Sequence, residues 1–285
     1  MFKQVGNKVW AFDAEWIPDP TAGRMLHNMA DEPDDHAVME KMWLEGGGTE
    51  DNPMPYLKTV VCRLVSISAV VRTARSDGNV SLNLLSLPRE VDDPEQANEA
   101  HIISTFLEAI GDHKPQLVGY NSNSADLKIL LQRGVRNGIQ ATEFCRRPDK
   151  PWEGIDYFAR GTDAHVDIKE VIGGWGKSTP SLHELAVVSG IPGKMETDGQ
   201  QVASLWLNGE LDRIVAYNET DALTTYAVWL RLAFFAGHFT PDEYQLEQQR
   251  IRELIQNLVS TRPASQATGH LTAWETEWDR LTSML

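Results

Sequence analysis

Two acids close an apolar run near the start of the chain: Val9, Trp10, Ala11 and Phe12 lead directly into Asp13, Ala14, Glu15 and Trp16. β-Branched and aromatic residues in such a run favour a buried strand, where an unpaired carboxylate is costly. Strand side chains alternate faces, so Asp13 and Glu15, two apart, project from one face within reach of a single ion. A divalent cation offsets both their desolvation and their mutual repulsion. The alternative is a strand that stops at Phe12 and leaves Asp13 and Glu15 in a solvated turn. On this segment alone the two readings weigh equally, because D-x-E is a short motif.

A chain of 285 residues is long enough for one large or two small domains, a single domain with decorations being the default. No apolar run approaches the length of a membrane span, so no membrane association is expected. The first ten residues, MFKQVGNKVW, lack the apolar core of a signal peptide, and a cytoplasmic protein is expected. Cys62 and Cys145 are far apart without metal-type spacing, which fits reduced thiols and gives no sign of zinc. The formal net charge of −15 argues against a protein that coats nucleic acid generally. That charge is uneven, however. From Asp19 to Asp51 only Arg24 and Lys41 stand against many acids, whereas from Lys128 to Lys150 six bases face Glu143 and Asp149. A globally acidic protein can therefore receive an anionic substrate locally.

In chain order, Ile17 to Pro55 is rich in Pro, Gly and acid and reads as an inserted loop with a short helix around Val38 to Leu44. Thr59 to Val71 is a β-branched run and a strand, and the turn Ser76 to Asn79 returns the chain into Val80 to Leu87. Helical spacing marks Glu95 to Ile110, and the short strand Gln116 to Tyr120 then runs into a helix striped by Leu127, Leu130, Leu131 and Val135. Lys128, Arg133 and Arg136 lie off that stripe, as on a solvated face. His165 to Ile172 reads as another short strand whose end carries an acid at Asp167. The following GGWGKSTP is no phosphate loop, because Val171 stands where a Gly is needed. Ser181 and Glu184 make a capping box, with His183 at the surface beside them. A helical pattern spans Asp198 to Gly237 and places Tyr217 and Asp221 on one face, a turn apart. Residues 241–285 read as a C-terminal helical appendage.

Three short patterns, in order, resemble the exonuclease motifs of the DEDD superfamily, tyrosine subclass: D-x-E at Asp13 and Glu15, N-x-x-x-x-D at Asn121 and Asp126, and Y-x-x-x-D at Tyr217 and Asp221. Ala216, five residues before Asp221, excludes the histidine subclass. The resemblance is closer to the predicted 3′–5′ exonucleases related to the proofreading domain of family B DNA polymerases. It extends over VVCRLVSISAV, His165 to Ile168, Ser181 to Ala186 and Gly190 to Lys194, covering roughly Val9 to Gly237. The pattern commonly carries an aromatic before its second Asp, where this chain has Ala125.

The resemblance implies an α/β, ribonuclease H-like mixed five-stranded sheet, three antiparallel strands then two parallel, flanked by helices. Residues 1–240 would form this domain, with 17–55 as an acidic insertion and 241–285 as an extension. It implies two divalent cations, Mg²⁺ or Mn²⁺: Asp13 bridges both, Glu15 and Asp221 complete one site, Asp126 serves the other, and Tyr217 orients the attacking water. The substrate implied is the 3′ end of single-stranded DNA or RNA. Candidate substrate contacts are Asn121, Ala14, Trp16, Lys128 and Asp167, with Trp175 as a further stacking candidate and Phe12 as another for which core packing is the better reading. A catalytically weak nucleic-acid-binding or regulatory protein, engaging a partner through its acidic insertion, is the alternative. Oligomeric state is left open.

Overall fold

Along the first strand, β1 (Lys8–Pro18), the alternation of side chains builds two different environments. Val9 and Ala11 join one core, while Trp10, Phe12 and Ala14 join another on the opposite face of the sheet. Asp13 and Glu15 continue the first of these faces, where the apolar side chains give out. The computed structural model describes residues 1–150, 152–159, 161–173, 178–195, 201–263 and 266–285.

After β1 come α1 (Pro20–Leu26) and α2 (Asp35–Glu45), then the strands β2 (Cys62–Ala74) and β3 (Val80–Leu87). The chain continues through α3 (Glu99–His113), β4 (Gln116–Gly119), α4 (Asp126–Arg136) and α5 (Thr142–Cys145). It then forms β5 (His165–Asp167), α6 (Ile168–Gly173), α7 (Leu182–Val188), α8 (Val202–Leu207) and the long α9 (Leu211–Phe235). Helices α10 (Pro241–Thr261) and α11 (Gly269–Thr282) complete it. The sheet order is β3-β2-β1-β4-β5, antiparallel among the first three and parallel from β1 through β4 to β5. This is the mixed five-stranded sheet expected from the sequence. Helix α9 covers the face that carries Val9 and Ala11; α3 and α4 cover the other.

Several elements differ from the sequence expectation, each for a local reason. β1 runs two residues into the acidic segment, which then forms α1, not foreseen in the sequence, as well as the expected short helix, here α2. Its acids cap them: Asp19 accepts the Thr21 amide at 3.0 Å ahead of α1, and Asp34 accepts the His36 amide at 3.0 Å ahead of α2. Residues 59–61 form a single 3₁₀ turn before β2 begins. The stretch His165 to Ile172 is strand only through Asp167, whose carboxylate accepts the Lys169 amide at 3.0 Å and turns the chain into α6. On α4, Val135 is exposed and Arg133 is 1% exposed, the reverse of the amphipathic expectation. Arg133 lies buried because its guanidinium bonds both Glu99 oxygens and Asp19 Oδ2, each at 2.7 Å, as well as the Val60 carbonyl.

The C-terminal helices share the α9 core. Trp274 and Trp278 of α11 and Ile251 and Ile255 of α10 are buried with Trp229. Glu247 on α10 pairs with Arg72 on β2 at 2.7 Å, with both side chains buried. Trp274 donates to Thr224 Oγ1 at 3.1 Å. Trp175, a stacking candidate, and Asp198, at the start of the expected helical region, lie outside the described residues. Among the described residues no helix is long and apolar enough to cross a membrane.

Candidate carboxylate centre

The polar end of the β1 face meets the first half of α9. Tyr217, Asn218 and Asp221 lie on the helix surface turned toward the sheet, and Asp13, Glu15 and Asp221 each offer an oxygen such that all three lie within 4.8 Å of one another. Asn218, which is fully buried, donates to Asp13 Oδ2 at 2.7 Å and accepts from Ser66 Oγ of β2 at 3.0 Å. Asn218 has no part in the motifs read from the sequence. Its only signal there is an amide beside Tyr217, at the head of a polar NETD stretch in a helix that also buries Glu219 and Thr220.

Asp126 reaches the same region from the other direction. β4 ends at Gly119, where a Cβ would fall 2.4 Å from the Ser122 side chain, so the turn into α4 requires glycine. Asn121 then adopts a left-handed φ of 64°. Asp167 on β5 holds this turn: its Oδ1 accepts the Asn121 amide and its Oδ2 the Asn123 amide, both at 2.9 Å. Asp126 follows as the first residue of α4, 4% exposed, and accepts the Ala14 amide at 3.1 Å. That bond spans the β1–β4 junction and carries Asp126 to the back of Asp13.

Crowding shows in the acidities. Burial first, then repulsion from Asp126, Glu15 and Asp221, raises the Asp13 carboxyl well above its ordinary range, against the opposing bond from Asn218. Burial pushes Asp126 up to about 7, opposed by backbone amides and reinforced by Asp167 and Asp221. Burial and the neighbouring Glu15, Asp221 and Asp13 likewise raise the Tyr217 hydroxyl, which bonds to Asp221. A cluster so disfavoured in its ionised form, with oxygen donors only, fits a divalent cation.

The substrate-contact candidates separate on inspection. Trp16 is partly exposed and meets Tyr56 edge to face, ring centroids 6.3 Å apart. Lys128 is exposed on the first turn of α4. Asn121 is partly exposed, and its Oδ1 accepts from Lys169 Nζ at 3.2 Å. Ala14 turns its methyl into the core while its amide serves Asp126. Asp167 is buried and its oxygens are taken up by backbone amides, which makes it a support for the Asp126 turn. Phe12 is buried in the core, and Arg133, expected on a solvated face, is buried between Glu99 and Asp19.

No curated protein matches the chain. Among solved structures it is similar to the family B DNA polymerase of the hyperthermophilic archaeon Pyrobaculum calidifontis, with 16% identity and a TM-score of 0.43. That alignment covers 78% of this chain and 25% of the polymerase, so the chain spans about a quarter of its length. Residues 54–278 match the family described as predicted 3′–5′ exonuclease related to the exonuclease domain of PolB; the matched span holds Asp126, Tyr217 and Asp221 and begins after Asp13 and Glu15. The chain belongs to this PolB-related family of predicted 3′–5′ exonucleases.

Proposed function

We propose that the chain is a divalent-cation-dependent 3′–5′ exonuclease of the tyrosine subclass. It acts on single-stranded nucleic acid, DNA in preference to RNA, in a cytoplasmic setting. The observation that carries this reading is the convergence of Asp13, Glu15 and Asp221 within 4.8 Å, from a strand and a helix far apart in sequence. Family membership supports it.

The reaction is hydrolysis of the terminal phosphodiester. A water oxygen attacks phosphorus, the bond to the 3′-oxygen of the penultimate nucleotide breaks, and that oxygen takes a proton. The products are a nucleoside 5′-monophosphate and a strand one residue shorter. Asp13, Glu15, Asp126 and Asp221 would hold two cations, Mg²⁺ or Mn²⁺, which when bound supply charge neutralisation at the phosphate oxygens. Tyr217 directs its hydroxyl at the water and holds it in line. Asn218 fixes the rotamer of Asp13 from behind. Asn121 and Lys128 receive substrate phosphates, and Trp16 stacks a base.

The test is product sizing with 5′-labelled and 3′-labelled single strands in Mn²⁺. A 5′ label carried down a ladder in single-residue steps, with the 3′ label released at once as mononucleotide, is the expected result. Internal fragments from both labels would indicate an endonuclease instead. Binding without any cleavage would favour the regulatory alternative.

A further inference from the structure

The segment between β1 and β2 is closed at its base. Asp19 donates its amide to the Val61 carbonyl at 2.9 Å, and Arg133 bonds both Asp19 Oδ2 and the Val60 carbonyl. Arg133 belongs to α4, the helix that begins with Asp126. One helix therefore places a site acid and pins both ends of the inserted segment.

Two adjoining cavities lie on that segment, and Tyr56 lines both. The first, of about 360 Å³, is walled by Trp16, Trp43, Met54 and Tyr56. Its volume falls within the range of about 300–1,000 Å³ usual for small-ligand sites. The Trp16 side chain stands on the opposite face of β1 from Glu15, and it is Tyr56, close enough to Asp126 to feel its charge, that brings this cavity beside the carboxylates. The second, of about 430 Å³, is bordered by Tyr56, Lys58, Ser124 and Lys128. Ser124 lies two residues before Asp126. Lys58 and Lys128 are exposed, and among the described residues neither ammonium has a carboxylate partner. In a chain of net charge −15 that is a local choice. Tyr56 itself is 66% exposed, a large ring open to solvent between an aromatic cavity and a basic one.

We propose that these two cavities hold the single strand next to the carboxylate centre: Trp43 and Tyr56 stack a nucleobase, and Lys58 together with Lys128 takes the adjoining phosphates. Every base has a π-face, so such a site grips a strand without reading its sequence. The lysines add a salt-dependent attraction to the backbone. The inserted segment is then part of the substrate path. This assignment rests on reading the centre as a nuclease, yet strand binding is measurable apart from cleavage.

The experiment is fluorescence anisotropy of a labelled single-stranded DNA dodecamer, and its RNA counterpart, with the full chain in EDTA. Tyr56→Ala and Trp43→Ala should each weaken binding about tenfold, as loss of a base–aromatic stack does, and Tyr56→Phe should restore it. Lys58→Ala and Lys128→Ala should each flatten the dependence of affinity on salt. A dodecamer made abasic throughout should bind the wild type weakly and lose little more with Tyr56→Ala. Because Tyr56 is exposed, its variants should melt with the wild type and decide the matter even where Trp43→Ala unfolds. Wild-type affinity in the Tyr56 and Trp43 variants, no binding by the wild type, or an undiminished Tyr56→Ala effect on the abasic strand would each overturn the assignment. A strand bound through Tyr56 but never shortened would keep the subsite and remove the nuclease reading. A strand shortened with no sensitivity to Tyr56 or Trp43 would do the reverse.

Discussion

Asn218 on α9 donates to Asp13 Oδ2 on β1 across 2.7 Å, joining residues 205 apart in sequence. The amide is fully buried and its oxygen accepts from Ser66, so both of its ends are used. Replacing it with Leu keeps the volume and leaves Asp13 and Ser66 without their partner. A loss of about 1–3 kcal/mol is expected, the usual penalty for stranding buried polar groups. Urea denaturation of Asn218→Leu measures it; a midpoint equal to that of the wild type would show that Asn218 does not hold Asp13.

The carboxylates should make the cation-free protein sensitive to pH. Asp126 rises from 3.8 to about 7 in the fold, so its contribution is fully present below about 4 and is lost as pH climbs toward 7. Asp13 shifts in the same direction. In EDTA, melting temperature should fall over that window, and Asp13→Asn should raise it by removing one repelling charge. Mn²⁺, which binds the ionised folded form, should restore the wild type at pH 7. Thermal scans with neither response would mean that these acids do not crowd one another.

Glu219, two residues before Asp221, follows the opposite sign. Burial raises it, but bonds from His270 and Arg262 on the C-terminal side outweigh burial and hold it down to about 2. Its contribution is present above its ordinary 4.5 and is lost as pH falls toward 2. Glu219→Gln should therefore be less stable at pH 6 and flatter between pH 5 and pH 3. Parallel acid-unfolding curves for the two proteins would count against this pairing.

Arg133 is the buried cation at the base of the inserted segment, shared by Glu99 and Asp19. Arg133→Met leaves buried Glu99 without a cation and Asp19 with Arg136 alone, at 3.6 Å, and about 3–5 kcal/mol of stability should go with it. Exchanging Glu99 and Arg133 together for apolar residues should recover part of that loss, since each removes the other's unpaired charge. Denaturation of the single and double variants checks both statements.

The sheet was legible because β1, β2 and β4 carry apolar runs that a strand alone can bury, and the motif acids were legible because Asp13 and Glu15 interrupt such a run. Arg133 was not. A helical wheel sees a basic residue among polar neighbours and cannot see that Asp19 and Glu99, from distant segments, come together around it. Asp167 passes for a substrate contact for a similar reason: an acid at a strand end does not reveal in sequence that its oxygens accept the backbone amides of Asn121, Asn123 and Lys169. Helix α1 looked like loop because Asp19 is a poor helix interior residue, yet a good N-cap. Tyr56 and Trp43 gave no motif, since what makes them notable is the cavity they share with Trp16.

The roles of Asp13 and Tyr217 are tested most directly by the single-turnover rate of terminal nucleotide release from a 5′-labelled single strand in Mn²⁺, compared among wild type, Asp13→Ala and Tyr217→Phe, with calorimetric Mn²⁺ titration of each. Asp13→Ala should lose both release and tight Mn²⁺ binding. Tyr217→Phe should bind Mn²⁺ like the wild type and release nucleotide about 10²–10⁴-fold more slowly, the range for a positioned proton-handling group. A Tyr217→Phe protein with the wild-type rate, or an Asp13→Ala protein that still trims the strand, would contradict the assignment of these residues to catalysis.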